Sequence, residues 1–195
     1  AMLDQSLLDA IKSYSERMTR PVTFVLGAGE HAQRAELVDF LTKIASTTDK
    51  IQFAEYFDNH LSPMSFKLVS ENKDTGIVFS GIPSGHEFTS LILAILQAGG
   101  SELKLDQSIQ SLIKAIGQPL QFQTFVSLTC HNCPDVVQAL NQFALLNDGI
   151  SNEMIDGGVF PELVEKYTIH GVPAVFLNGK PFANGKNDNA KLTEK

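Results

Sequence analysis

In the first quarter of the chain, the spacing of apolar and polar residues is typical of a helix, a strand, a second helix and a second strand in turn. A first helix is predicted by six apolar residues that recur every three or four positions: Leu3, Leu7, Leu8, Ile11, Tyr14 and Met18. Pro21 then introduces a β-rich run at residues 22–26, and a second periodic segment predicts a helix over residues 30–45. A strand is expected at residues 51–56. These segments together predict a β–α–β unit.

The next part of the chain predicts a hairpin followed by a strongly apolar helix. Two short strands, at residues 66–70 and 77–80, are separated by a turn-forming segment at residues 72–76. A helix is predicted over residues 86–98. It is expected to end at Gly99-Gly100, because glycine readily adopts the backbone conformation of a helix C-cap.

The second half of the chain repeats this order of elements. The predicted elements are a helix (107–116), a strand (122–128), a helix (130–146), a strand (150–155), a short helix (160–167), a strand ending at Leu177 and a return strand (181–183). Asn178-Gly179 is a strong hairpin turn between the last two strands. The repeated order predicts one α/β unit used twice.

Short sequence echoes support this duplication. Thr23-Phe24-Val25 recurs as Thr124-Phe125-Val126, and Pro63-Met64-Ser65-Phe66 has a counterpart in Pro173-Ala174-Val175-Phe176. In this register the sequence GEHA stands in the first half where CHNC stands in the second. The first copy is therefore predicted to lack reactive sulfur atoms.

Composition and charge narrow the range of functions. The 195 residues are 43% apolar and carry a formal charge of -7, with a pI near 5.2. An acidic balance argues against nucleic acid as a partner, because affinity for phosphates comes largely from Lys and Arg. No apolar run approaches the roughly 20 residues needed to span a bilayer, and Asp4 and Asp9 stand where a secretory signal would be basic and apolar. The sequence therefore predicts no membrane contact. Two cysteines are too few for a disulfide-stapled secreted protein, and this favours a cytoplasmic location.

Both ends of the chain indicate a fragment. Ala1 precedes Met2, which is interpreted as a remnant of expression. Residues 186–195 begin a possible helix and stop before it could bury a face.

The two cysteines of the chain, Cys130 and Cys133, form a C-x-x-C motif between a predicted strand and a predicted helix. Unpaired backbone N–H groups and the positive end of the helix dipole favour a thiolate at this position. Cys130 is therefore the candidate nucleophile, and Cys133 is the candidate resolving cysteine that closes a disulfide. The intervening His131 and Asn132 can tune the redox potential. Pro134 suits the first helical turn, where its missing N–H costs nothing.

Two alternatives for the cysteines have less support. A structural zinc ion usually needs four ligands, and neither a second C-x-x-C nor an H-x-x-x-H accompanies the scattered histidines His31, His60, His86 and His170. Two inert, buried cysteines are the other alternative. The position between strand and helix favours redox chemistry.

A second motif, VLGAGEHA at residues 25–32, matches the dinucleotide fingerprint G-x-G-x-x-A, with Asp49 about 20 residues beyond it. The hairpin that follows the second strand does not fit a dinucleotide-binding fold, which would continue with another helix and strand. Glu30 would also bring negative charge toward a pyrophosphate. The duplication explains these glycines as the turn at a lost active site.

Four segments together resemble the N-terminal domain of the flavoprotein subunit of bacterial alkyl hydroperoxide reductase: CHNCPDVVQALN, IDGG, HGVPAVFLNGK and GHEFTSL. The resemblance covers essentially the whole chain. It implies an α/β protein of two tandem thioredoxin-like, or glutaredoxin-like, folds packed as one unit. The first fold would cover residues 2–100 and the second residues 101–195, with the dithiol only in the second.

The resemblance also implies a role in electron transfer. NADH and FAD would serve a C-terminal flavin reductase domain that is absent from this sequence, and no cofactor is expected in the fragment. That domain would reduce the disulfide here, which would in turn reduce a peroxiredoxin subunit. Pro173, with Val172, would form a cis-proline groove for the partner, and Glu87 would be an acid or base near the dithiol. A general thioredoxin-like or glutaredoxin-like disulfide reductase and a non-catalytic binding module are the alternatives.

Overall fold

Each half of the protein folds as a β–α–β unit followed by a β-hairpin. The computed structural model describes residues 3–184. The elements of the first half are α1 (Gln5–Ser15), β1 (Val22–Leu26), α2 (Arg34–Ala45), β2 (Ile51–Phe53), β3 (Ser65–Ser70), β4 (Lys73–Ser80), a 3-10 turn (Gly85–Glu87) and α3 (Phe88–Ala98). Those of the second half are α4 (Gln107–Lys114), β5 (Leu120–Val126), α5 (Cys133–Leu146), β6 (Ile150–Asp156), α6 (Pro161–Lys166), β7 (Ala174–Leu177) and β8 (Lys180–Asn184).

The two halves join in one eight-stranded sheet with the strand order β2-β1-β3-β4-β6-β5-β7-β8. The junction is a parallel pairing of β4 with β6, in which Ile77 lies opposite Asn152 and Ser80 lies opposite Ile155. Within each half the first hairpin strand runs antiparallel to the central strand, β1 or β5. Because β3 also runs antiparallel to β4, and β5 runs parallel to β6, β1 and β5 point the same way and their carboxyl ends lie on the same side of the sheet.

The hydrophobic core is continuous across the junction. Phe24, Phe66 and Phe79 are fully buried on neighbouring strands, and the rings of Phe66 and Phe79 stack with their centroids 5.4 Å apart. The same cluster of buried residues includes Phe125 and Cys133 from the second half. Helices α3 and α5 pack against each other. The halves therefore share this core, and a second cluster of buried residues lies within the second half.

A polar contact also crosses the junction. The Ser80 hydroxyl on β4 bonds to the carboxylate of Glu153 on β6, and it lies 2.6 Å from the hydroxyl of Ser65 on β3. Burial raises the pKa of Glu153, although its hydrogen bonds to Ser80 and Gln123 oppose this effect. Neighbouring strands thus hold one partly buried carboxyl group by hydrogen bonds.

The predicted strands and helices are largely found where the sequence pattern placed them, with differences at their ends. Strand β1 has the predicted bounds. The predicted turn at residues 72–76 is wrong, because β4 already begins at Lys73 and the turn is formed by Glu71 and Asn72. Both turn residues have positive φ, of 53° and 65°, as tight hairpin turns require.

Two helices begin later than their periodicity predicts. Helix α2 begins at Arg34 rather than at Glu30, and α5 begins at Cys133 rather than at Cys130. In both cases the residues between strand and helix form a turn.

The helix predicted over residues 186–195 lies outside the described residues, and the division at residues 100 and 101, in the connection between α3 and α4, stays a prediction. Across residues 3–184 the helices are too short or too polar to cross a membrane.

Truncating Phe79 tests the shared core. Phe79→Ala removes a fully buried ring from β4 at the junction, and we expect it to lower the free energy of unfolding by about 3–5 kcal/mol. Urea denaturation followed by circular dichroism should show one cooperative transition. The control Leu112→Ala alters a side chain that is 60% exposed on α4, with an expected change below about 0.5 kcal/mol. Separate unfolding of one half would contradict a shared core.

Candidate active site

The two sulfur atoms lie where β5 passes into α5. Cys130 and Cys133 are joined by a disulfide, with their Cα atoms 5.5 Å apart. Cys133 is the first residue of α5 and is fully buried, whereas Cys130 lies in the preceding turn and is partly exposed. Pro134 occupies the first helical turn, as predicted. Because the first turn of a helix has unpaired N–H groups, the positive end of α5 faces the disulfide.

The segment before β7 lies beside Cys130. The Val172–Pro173 peptide bond is cis, an isomer that the sequence alone did not determine. The carbonyl oxygen of Val172 lies 3.8 Å from the Cys130 sulfur. Strand β7 pairs with β5, so that Ala174 lies opposite Phe125. This pairing places the proline segment next to the more exposed sulfur.

The first half contributes the 3-10 turn Gly85–Glu87 to the site. The backbone N–H of His86 donates to the Leu128 carbonyl, at 2.9 Å, in the turn before Cys130. Gly85 has a φ of +56°, and a Cβ atom on it would lie 2.7 Å from the same carbonyl oxygen. Glycine at this position therefore permits the close approach of the two halves. The site is built from both halves of the chain.

Glu87, the last residue of this turn, is buried with an incomplete set of hydrogen bonds. Its Oε1 accepts from the Ser90 hydroxyl at 2.7 Å, while its Oε2 has no partner within residues 3–184. The Ser90 oxygen also accepts from Nε2 of Gln138 on α5, at 3.2 Å. A hydrogen-bond chain thus links Glu87 in the first half with the helix that carries Cys133.

The buried setting changes the protonation of two carboxyl groups. Burial raises the pKa of Glu87 from 4.5 to about 7, opposed by the Ser90 hydrogen bond and reinforced by the charge of Asp156. Burial also raises the pKa of Asp156 at the end of β6, opposed by the Gly158 N–H that donates to it. Glu87 can therefore take up and release a proton near neutral pH.

Sequence reasoning missed three residues of this network: Ser90, Gln138 and Asp156. Ser90 and Asp156 lie in GHEFTSL and IDGG, two of the segments that carry the family resemblance. Gln138 has no sequence signal, since it is one polar residue among several on a helix. Only the packing of α3 on α5 reveals its contact with Ser90.

The corresponding turn of the first half has no sulfur. Gly29, with a φ of +117°, lies against Pro63, and a Cβ atom on Gly29 would be 3.5 Å from that ring. The neighbouring Gly27 faces the chain itself, because a Cβ atom there would lie 2.7 Å from the Leu61 carbonyl oxygen. Gly27 thus packs against the protein's own backbone, which leaves no space for a phosphate there, and Gly29 packs against the Pro63 ring.

No cluster of three or more potential metal ligands among His, Cys, Asp and Glu occurs within residues 3–184. Two histidines do meet at the site: the rings of His86 and His131 have their centroids 4.5 Å apart. Asn132 directly precedes α5, and its side chain makes no capping hydrogen bond.

The fold and the disulfide define a class of protein, the thioredoxin-like redox proteins. Residues 120–194 match the family described as "Thioredoxin domain". A protein disulfide oxidoreductase from Aeropyrum pernix has the same fold over the whole chain, with a TM-score of 0.86 at 16% identity. The structure is thus a mixed α/β protein of two thioredoxin-like folds, and the cysteine pair lies in the second.

Comparison at higher identity gives the family. The N-terminal domain of the alkyl hydroperoxide reductase AhpF from Enterococcus faecalis superposes with a TM-score of 0.88, at 34% identity over 99% of both chains. The corresponding alkyl hydroperoxide reductase protein of Escherichia coli is 40% identical over 194 residues. The chain belongs to the AhpF family and corresponds to its N-terminal domain. It spans 37% of the length of the Escherichia coli protein.

Replacing Glu87 tests its raised pKa. Because the pKa rises from 4.5 to about 7 on folding, the unfolded chain releases this proton first as the pH increases, and folding stability falls between these values. Glu87→Gln cannot release the proton. Between pH 5 and pH 8 we therefore expect the unmodified protein to lose about 2 kcal/mol more unfolding free energy than the variant.

Urea denaturation at each pH measures this difference. The control Glu162→Gln makes the same change on the exposed surface of α6 and should alter the unfolding free energy by less than about 0.5 kcal/mol. Parallel stability curves for Glu87→Gln and the unmodified protein would show that Glu87 ionises at the same pH in the folded and unfolded states.

Proposed function

We propose that this protein is the dithiol–disulfide oxidoreductase domain that passes electrons from a flavin-linked reductase domain to the disulfide of a peroxiredoxin, in support of peroxide detoxification. One observation carries the proposal: the disulfide, with one partly exposed sulfur, lies at the carboxyl end of β5 beside the Val172 carbonyl, and the turn that contains the buried Glu87 is hydrogen-bonded to the residues just before Cys130. The family of the chain agrees with this role. The chain spans 37% of the length of its Escherichia coli relative. The activity of the full-length enzyme therefore also belongs to the proposal.

The exchange requires two successive attacks on disulfide bonds. In the reduced domain the Cys130 thiolate attacks one sulfur of the peroxiredoxin disulfide, which forms a mixed disulfide and releases the other sulfur as a thiolate. Cys133 then attacks Cys130, closing the disulfide seen here and releasing the second peroxiredoxin thiol. Two electrons and two protons pass to the peroxiredoxin. The partial exposure of Cys130 and the burial of Cys133 suit this division of roles.

The second attack needs Cys133 to lose its proton inside the protein. Cys133 is fully buried, so water has little access to its thiol. Glu87 belongs to the segment that packs on the active-site turn, and its pKa of about 7 lets it accept this proton near neutral pH. We propose this acid–base role for Glu87, and a tuning role for His131 and Asn132 between the two cysteines.

The reductant would come from outside this chain. FAD and NADH would bind the reductase domain, which would restore the dithiol by reducing the Cys130–Cys133 disulfide. The glycine turn at residues 27–32 does not fit a dinucleotide, because Gly27 packs against the Leu61 carbonyl. We place the reaction in the cytoplasm, where a dithiol can be kept reduced.

Single cysteine variants test the assignment. The domain is reduced with dithiothreitol, freed of reductant and mixed with an oxidised peroxiredoxin from a bacterial alkyl hydroperoxide reductase. Cys130→Ser should abolish reduction of the peroxiredoxin because the attacking sulfur is gone. Cys133→Ser should trap a mixed disulfide between the two proteins, visible on a non-reducing gel and by mass spectrometry. Free peroxiredoxin thiols, counted with a maleimide reagent, report the reaction.

Three outcomes would count against the proposal. Normal turnover in either variant would remove the cysteines from the reaction. Reduction of insulin at a rate equal to that of the peroxiredoxin would favour a general thioredoxin-like or glutaredoxin-like reductase. Full activity after alkylation of both thiols would favour a non-catalytic binding module.

A further inference from the structure

Two histidines from different halves of the chain meet over the active-site turn. The rings of His86 and His131 are tilted by 58°, with their centroids 4.5 Å apart. Both side chains are exposed. His131 follows Cys130 directly, whereas His86 lies 44 positions before that cysteine, on the 3-10 turn of the half without a dithiol. The packing of the two halves therefore brings a second imidazole to the turn that carries the disulfide.

Backbone hydrogen bonds join the turns from which the two histidines extend. The His86 backbone is tied to the active-site turn through its N–H bond to Leu128, and the Glu87 N–H donates to Ser84 at 3.0 Å. His131 lies in the turn between the two cysteines, and the N–H of Cys130 at the start of this turn donates to the carbonyl oxygen of Ser127. The ring of His86 therefore extends from a backbone that is hydrogen-bonded to the active-site turn, and it contacts the ring of His131 there.

We propose that His86 is a positioning residue for the dithiol: its ring holds the His131 imidazole in an orientation that favours the Cys130 thiolate in the reduced protein. This inference rests on the proposed role of Cys130 as the nucleophile. A protonated imidazole beside a thiol stabilises the thiolate by charge. An exposed side chain without a packing partner distributes over several rotamers, and a ring contact limits that distribution.

Two carboxyl groups belong to the same region of the protein. They are Glu87, which follows His86 on the 3-10 turn, and Asp156 at the end of β6, whose charge acts on Glu87. The histidine variants leave the two buried carboxyl groups, Glu87 and Asp156, unsubstituted. A change of reactivity that depends on both His86 and His131 is therefore separable from the effect of these carboxyl groups.

The test measures the reactivity of Cys130 without any partner protein. The reduced domain is treated with iodoacetamide, which forms a carbon–sulfur bond and releases iodide, and the rate is followed from pH 5 to pH 9 by mass spectrometry. We expect His86→Ala to lower the alkylation rate at pH 6 by about fivefold, as expected for loss of an aromatic contact. At pH 9, where the thiolate forms without help, the rate should be close to that of the unmodified protein.

Three further variants complete the experiment. His86→Phe keeps a ring against His131 without an ionisable group and should restore most of the rate. In a His131→Ala background, His86→Ala should have no additional effect, because the imidazole that it positions is gone. His60→Ala, which removes an exposed histidine in the loop after β2, should leave the rate unchanged.

Each alternative result overturns the inference. Equal effects of His86→Ala with and without His131 would show that the two residues act independently. Failure of His86→Phe to restore the rate would show that the ring contact is not what matters. An unchanged or increased rate in His86→Ala would exclude positioning. If Cys130 instead resists alkylation at all pH values in every protein, including the unmodified one, the proposed nucleophile itself is wrong.

Discussion

Parallel pairing of β4 with β6 is the contact on which the active site depends. It aligns Ile77–Ser80 with Asn152–Ile155 and makes one sheet from two α/β units. The chain leaves β4 at the same sheet edge where β5 ends, so the 3-10 turn Gly85–Glu87 reaches the turn that carries Cys130. Without this pairing the second unit would present a disulfide, a helix N-terminus and a cis-proline, but no buried carboxyl group from another fold. The first unit thus completes a site for which it has no sulfur of its own.

The electrostatics of the site follow from this junction. A glutamate on a free surface ionises near pH 4.5, whereas Glu87 lies between two packed units, where burial raises its pKa to about 7. Ser90 offsets part of this cost by hydrogen bonding, and Asp156 adds to it by charge. The protein thus buries an ionisable carboxyl group in the turn that packs on the cysteine-bearing turn, at a cost in folding stability once that group ionises. Such a compromise between stability and chemistry is common at functional sites.

The two halves show how one fold can keep or lose reactivity at the same position. In both, a strand of the sheet leads through a turn into a helix, and a proline segment lies opposite that turn. In the second half the turn carries Cys130 beside cis Val172–Pro173. In the first half Gly29 packs near Pro63, and Gly27 allows the backbone of residues 61–62 to close over the strand end. In the first half the turn is thus packed against residues of the same half and has a structural role.

Local sequence determined the elements and the identity of the reactive atoms. Apolar periodicity located β1, α3 and the repeated order of strands and helices, because within one element the spacing of side chains decides which of them face a core. The C-x-x-C spacing indicated the disulfide, since two sulfur atoms three positions apart come together in a single turn. The start of α5 was misplaced by three residues because the turn residues carry no apolar period of their own.

Tertiary structure decided how the elements combine and which groups are buried. The β4–β6 pairing joins residues about 75 positions apart, and the burial of Glu87 depends on α3 meeting α5. The contacts of Ser90 with Gln138 and of His86 with His131 have the same origin. These features require surfaces from both halves at once, and no pattern within one segment of the chain contains that information.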